Sequence, residues 1–164
     1  MKYIDFDDVI KATGEILFSD YARDNGSDIE SEKAKFIQQY NWEELLRICP
    51  IINNSIEIIK DMNDVAILTK AHSLNNEGVA KIRYLRSLGV EANIILVPYY
   101  LKKTEVVVAK GNILVDDNLY NLDDWYMASG IPIFFDRYGN NYDGYGRENK
   151  KYVRTRTLEI LRNY

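Results

Sequence analysis

Four short groups of residues carry the chemistry available to this chain. They are Asp5-Phe6-Asp7-Asp8, Thr69-Lys70, Lys102-Lys103-Thr104-Glu105 and Asp116-Asp117. Carboxylates gathered from two such groups repel one another unless a divalent cation lies between them. A threonine hydroxyl and a lysine ammonium nearby can hold the non-reacting oxygens of a phosphoryl group. Phosphoryl transfer asks for little more, because positioning and charge neutralisation provide most of the catalysis. A carboxylate at the cation can attack phosphorus and form an aspartyl-phosphate. The Asp-x-Asp spacing puts a second acid where it can protonate a leaving alcohol, a role worth about 10²–10⁴-fold.

The inventory of other reactive side chains is short. Cys49 is the one cysteine and His72 the one histidine. An intrachain disulfide and a multi-cysteine metal site are therefore excluded, and zinc held by histidine and cysteine would need more ligands. Any essential metal is expected to be held by oxygen, which points to Mg²⁺. His72 reads as a structural or surface residue. The net charge of −4 comes without a sustained basic run, so a grip on nucleic acid polymers is not expected. A small anionic substrate is still compatible, since a metal and a few placed cations override the global sign.

These groups need elements to position them. Five β-branched or aromatic runs, at 2–6, 65–69, 92–97, 112–116 and 131–135, read as strands. Most are continuously apolar, as a parallel sheet covered on both faces requires. Helical patterns lie between and after them, at 75–88 with Gly89 as a stop, at 121–129 closed by Gly130, and at 155–164. This alternation implies a doubly wound α/β fold, in which ligands bind outside the carboxyl ends of the strands. The acids, Thr69 and a lysine all stand at those ends. Asp123 and Asp124 read as first-turn acids of their helix, 138–146 as an irregular surface loop able to line a site, and 147–156 as a solvated charged face.

One interval breaks the rhythm. The stretch 7–64 is much longer than a crossover helix needs and contains helical patterns at 33–40, 42–48 and 51–62, with a loop at Asn25-Gly26-Ser27-Asp28. It is read as an inserted helical cap, 11–62, on a core formed by 1–10 and 63–164. Its aromatics Phe18, Tyr21, Phe36, Tyr40 and Trp42 either pack a helical layer or face a ligand. The longest apolar stretch, 92–101, is interrupted by Asn93 and Pro98 and is too short to span a bilayer. The first residues enter a strand rather than a signal-peptide apolar region, so a cytoplasmic protein without a membrane partner is expected.

Asp5-Phe6-Asp7-Asp8-Val9-Ile10, Leu68-Thr69, the Lys103 region and Leu114-Val115-Asp116-Asp117 resemble the four ordered motifs of the haloacid dehalogenase superfamily. Within it, the run Leu114 to Leu122, with Trp125 and Gly130-Ile131-Pro132-Ile133-Phe134, is similar to the cytosolic-type 5′(3′)-deoxyribonucleotidases. The resemblance implies that Asp5 is nucleophile and metal ligand. It implies that Asp7 is general acid/base and offers its backbone carbonyl to the metal. Thr69 and Lys103 would bind phosphate, with the Lys-Thr-Glu order favouring Lys103 over the adjacent Lys102. Asp116 would bind Mg²⁺ directly and Asp117 directly or through water. Asp8 departs from the pattern, standing where the family usually has glycine.

The expected function is therefore Mg²⁺-dependent hydrolysis of a phosphomonoester, with nucleoside or deoxynucleoside 5′-monophosphates preferred, by a monomer or homodimer. Phe18, Tyr40 and Trp42 would offer faces on which a base stacks. A signalling receiver domain also combines acids, threonine and lysine, but places its phosphorylated aspartate after the third strand, where this chain has only Asn93 and Pro98. The remaining alternative is a catalytically silent relative that binds a nucleotide or a protein, for which Asp8 is the sole support.

Overall fold

The computed structural model of the protein describes residues 1–24 and 30–164. The loop expected at Asn25-Gly26-Ser27-Asp28 lies outside the described residues. Six strands form one parallel sheet in the order β3-β2-β1-β4-β5-β6. They are β1 (Lys2–Ile4), β2 (Val65–Ala71), β3 (Asn93–Pro98), β4 (Ile113–Asp116), β5 (Ile131–Phe135) and β6 (Val153–Thr155). β1 lies between β2 and β4, with Ile4 opposite both Ile67 and Val115. The chain winds outward on one side of β1 and then on the other. The crevice between β1 and β4 is thus the point where the winding reverses, the usual ligand position in such sheets.

Alternation along each strand divides the core into two layers. Ile4, Ile67, Val115, Ile133 and Phe135 face one side. Tyr3, Ala66, Leu68, Leu114 and Phe134 face the other and pack with Leu122 and Trp125 of α7 (Leu119–Met127). Helices on both faces explain why the strands carry so few polar residues. Between β1 and β2 run α1 (Thr13–Asp24), α2 (Glu30–Gln39), α3 (Trp42–Ile48) and α4 (Ser55–Lys60). Their buried residues Leu17, Trp42, Leu45, Leu46, Ile56 and Ile59 belong to the same apolar cluster as Ile4 and Ile67. Among the described residues, no helix is long and apolar enough to cross a membrane.

The helix after β2 comes in two pieces, a π-helical turn at Leu74–Gly78 and α5 (Val79–Ser87). Gly89, at φ +75°, makes the left-handed turn that ends it. A short α6 (Lys103–Val106) follows β3.

Three sequence expectations need correction. The run 147–156 is not merely a solvated face, because β6 pairs with β5 through Ile133↔Val153 and Phe135↔Thr155, and Thr155 is buried. The C-terminal segment enters a 3-10 helix at Leu158–Asn163, since Thr155 belongs to the sheet and Thr157 caps the turn by accepting from the Glu159 amide. α7 starts at Leu119 because the Asn118 side chain caps it. Asp123 and Asp124 therefore lie in mid-helix, paired with Arg147 and Lys102.

Candidate active site

β1 ends at Ile4, and Asp5 follows it directly at the sheet's carboxyl edge, joined to β4 by a hydrogen bond from its amide to the Val115 carbonyl. Asp116 is the last residue of β4. This pairing of adjacent parallel strands brings Asp5, Asp116 and Asp117 together, with one carboxylate oxygen of each within 4.8 Å of the others. Lys103, from the first turn of α6, enters the group at 2 % side-chain exposure. Its Nζ donates to Asp5 Oδ1 and to Asp116 Oδ2, each at 2.7 Å. The neighbouring Lys102 turns to solvent and pairs with Asp124 at 2.7 Å. Of the two lysines, only Lys103 reaches the acids.

Asp116 is held further by Asn121, whose Nδ2 lies 3.1 Å from both carboxylate oxygens, and by the Asn118 amide at 2.9 Å. The acids outnumber the cation beside them. Burial pushes the Asp5 carboxyl up to about 7, with Lys103 opposing and Asp116 and Asp7 adding to the rise. Burial, reinforced by Asp116, Asp8 and Asp5, also holds Asp117 well above the usual carboxylate range. Two buried carboxylates that share one ammonium, with the half-buried Asp117 beside them, are a donor set made wholly of oxygen. That set fits a hard divalent cation such as Mg²⁺.

Asp7 points to a different set of partners. Its Oδ1 accepts from Thr13 Oγ1 at 2.7 Å, and its Oδ2 accepts from Lys81 Nζ at 2.5 Å and Thr69 Oγ1 at 3.5 Å. Asp7 is therefore outside the carboxylate cluster, and its side chain is bonded at both oxygens. Thr69, fully buried in β2, stands beside it.

Asp8 adopts φ +53°, a left-handed conformation that favours glycine. Its carboxylate accepts from the Gly14 amide at 3.3 Å and pairs with Arg137. Burial still raises it to about 6 against the pull of that guanidinium. Gly14 is required for this arrangement, since a Cβ there would lie 2.1 Å from Asp8 Oδ2.

A cleft of about 550 Å³ opens over these groups and is lined by Asp5, Asp7, Lys70, Asp117 and parts of α1 and α2. Gly144 and Tyr145 also line it, so the irregular loop at 138–146 does border the site. Asp143 fastens that loop by accepting from the amides of Leu119, Tyr145 and Arg147. The three aromatics expected to meet a base are dispersed. Phe18 stands on the cleft wall at 45 % exposure. Trp42 also borders the cleft but is only 2 % exposed, with its Nε1 donating to the Ile37 carbonyl. Tyr40 is not among the lining residues; it packs on Phe36 and its hydroxyl bonds Asp20.

Sequence reasoning missed Thr13, Glu77, Lys81, Asn121 and Arg137. Glu77 and Lys81 carried a usable signal. Their i,i+4 spacing continues to Leu85, a core residue, which puts both charges on the buried face of the helix.

No family model matches the chain, and no curated protein matches it. Solved structures do. A hydrolase from Pseudomonas syringae superposes with a TM-score of 0.65 at 12% identity, covering 99% of this chain and 96% of that one. A haloacid dehalogenase (HAD)-superfamily hydrolase of subfamily IA, variant 1, from Geobacter sulfurreducens superposes with a TM-score of 0.60 at 13% identity, over 99% and 98%. The magnesium-bound putative HAD-hydrolase YfnB from Bacillus subtilis gives 0.59 at 14%, over 99% and 96%. The chain has the α/β fold of the haloacid dehalogenase-like hydrolases.

Proposed function

We propose that the protein is a Mg²⁺-dependent phosphomonoester hydrolase that works through an aspartyl-phosphate on Asp5. The observation that carries this reading is the meeting of the Asp5, Asp116 and Asp117 carboxylates, the first two bonded to Lys103, with Asp7 and Thr69 at the same sheet edge. Asp5, Asp116 and Asp117 would hold the cation, which when bound supplies charge neutralisation for the phosphoryl oxygens.

The chain's own residues then divide the work. A carboxylate oxygen of Asp5 bonds to phosphorus as the ester P–O bond breaks. Asp7 gives its proton to the leaving oxygen, and afterwards takes one from the water that hydrolyses the aspartyl-phosphate. Thr69 and Lys103 contact the non-reacting phosphoryl oxygens and keep phosphorus in line. Burial of the set makes each of these contacts stronger than it would be in water.

For the substrate, the reading is a nucleoside or deoxynucleoside 5′-monophosphate. The volume of the cleft and the exposed ring of Phe18 support it, with Tyr21 and Tyr145 on the same cleft. A cytoplasmic monomer or homodimer remains part of this reading. The silent-relative alternative rests on Asp8, whose charge is paired with Arg137.

The test is phosphate release from a panel of nucleoside and sugar monophosphates, with and without Mg²⁺, in the wild type and in Asp5→Asn. Mg²⁺-dependent release that vanishes in the variant is the expected result. Full activity in Asp5→Asn discards the covalent scheme, and a sugar phosphate as best substrate discards the nucleotide assignment.

A further inference from the structure

Lys81 is a fully buried lysine on α5 that belongs to none of the four motif groups. Its ammonium has three protons and four oxygen neighbours. They are Asp7 Oδ2 at 2.5 Å, Glu77 Oε1 at 2.6 Å, the Lys70 carbonyl at 3.1 Å and Thr69 Oγ1 at 3.2 Å. The rings of Trp42 and Phe6 lie 5.0 and 5.4 Å from it, so the cation has aromatic walls on a side chain closed to solvent. In such surroundings a charge-assisted hydrogen bond is strong and strongly directional.

Glu77 fixes the lysine from behind. Its Oε1 accepts from Lys81, while its Oε2 accepts from the His72 amide at 2.7 Å at the end of β2. The π-helical turn places Glu77 there, one helical turn ahead of Lys81. A backbone amide thus orients Glu77, Glu77 orients Lys81, and Lys81 in turn holds Asp7 and Thr69. A buried ion pair adds little stability over apolar side chains of the same size. Stability alone gives no reason for a lysine here with two carboxylates and a site threonine as its partners.

We infer that Lys81, backed by Glu77, is a positioning residue that holds Asp7 and Thr69 in mutual register for proton transfer to the leaving group. This rests on the acid/base role given to Asp7 above. In the first step the Asp5–phosphorus bond forms, the ester P–O bond breaks, and a proton carried on Asp7 Oδ1, the oxygen that Lys81 does not hold, passes to the leaving oxygen. An alkoxide leaving group requires that proton. A nitrophenolate leaves without it. Misaiming Asp7 therefore harms the first kind of ester and spares the second, a distinction that general damage to the fold would not produce.

The experiment compares kcat/KM for thymidine 5′-monophosphate and for p-nitrophenyl phosphate in the wild type, Lys81→Met and Lys81→Met/Glu77→Gln. This ratio reports the steps up to formation of the aspartyl-phosphate. The double variant removes one of the two carboxylates that the single one strands. The expected loss is about 100-fold on the alkyl ester and under about 5-fold on the aryl ester. Equal losses on both esters, or no loss on the alkyl ester, overturn the inference while leaving the phosphatase reading intact. Failure of both variants to fold cooperatively also overturns it, because Lys81 then only supports the fold. A wild type without turnover on either ester removes the proposed function itself, and this inference with it.

Discussion

Lys103 Nζ lies 2.7 Å from Asp5 Oδ1 across a sequence separation of 98 residues, in a region almost closed to water. The same ammonium serves Asp116 at the same distance. Burial opposes its charge, but Asp116 and Asp5 outweigh burial and raise it above the ordinary lysine range. The site is thus an electrostatic unit in which removing one member exposes the others.

Lys103→Met should accordingly destabilise the metal-free protein by about 3–5 kcal/mol, the usual cost of stranding a buried partner. Urea denaturation without divalent cation measures it. Adding Asp116→Asn to the same background should recover part of the loss, because one stranded charge is gone. An unchanged midpoint in Lys103→Met would mean that the two carboxylates do not depend on this lysine.

The raised acids also set a pH dependence. Asp5 goes from 3.8 to about 7 and Asp8 from 3.8 to about 6, both chiefly through burial, and Asp117 rises for the same reason. Between those limits the folded protein binds more protons than the unfolded chain, so stability falls as pH rises. The contribution of Asp5 and Asp8 is complete below about pH 4 and lost above about pH 7. Glu77 acts oppositely: burial opposes its charge, but Lys81 and the bonds from His72 together outweigh burial and lower it, so its contribution is lost only in stronger acid. Without Mg²⁺, the thermal midpoint should therefore be higher at about pH 5 than at about pH 8. Adding Mg²⁺ should raise the midpoint most at the higher pH, where protons do not compete for the carboxylates. A Mg²⁺ effect independent of pH would contradict the assignment of Asp5 and Asp117 to the metal.

A third prediction concerns the residue that departs from the glycine of the resembling family. Gly14→Ala puts a Cβ 2.1 Å from Asp8 Oδ2, and Asp8 cannot move freely because Arg137 holds it. The substitution should cost about 1–3 kcal/mol, as overpacking does. In an Asp8→Gly background the same substitution should cost much less, since the clashing group is absent and glycine accepts φ +53° without strain. A double-mutant cycle in denaturant gives the coupling directly. Additive effects would show that Asp8 relaxes away from Gly14 at no cost.

The parts of the site legible in the sequence are those written at strand ends. Asp5, Thr69 and Asp116 each follow or close an apolar run, and parallel pairing brings such positions to one edge, while Lys103 reaches it from the first turn of α6. Lys81 was not legible in the same way, because a lysine in an amphipathic helix ordinarily reads as solvated, and only its register with Glu77 and Leu85 says otherwise. β6 was hidden for a different reason. Val153–Thr155 is a three-residue edge strand among charges, and its place depends on pairing with β5 rather than on any local pattern. α1 mixes polar and apolar residues so evenly that its buried face, Thr13, Gly14, Leu17 and Tyr21, emerges only once the sheet is present.

The aromatics of the inserted helices yield the last prediction, because their type alone does not separate core from ligand wall. Trp42 is buried, bonded through Nε1 to the Ile37 carbonyl, and packed in the cluster that contains Ile4 and Leu45. Trp42→Ala should therefore cost about 3–5 kcal/mol of stability. Any change in nucleotide KM should follow from that loss and be shared with substrates that lack a base. Phe18 is exposed on the cleft wall, with Lys33 Nζ 4.4 Å from its ring. Phe18→Ala should leave the thermal midpoint within experimental scatter. It should raise KM for nucleoside monophosphates by about 5- to 100-fold, the worth of one stacking contact, with kcat/KM for p-nitrophenyl phosphate unchanged. Equal changes for both substrates would remove Phe18 from base recognition. A selective effect from Trp42→Ala with stability retained would restore the tryptophan to that role and imply that the helices around it part when substrate enters.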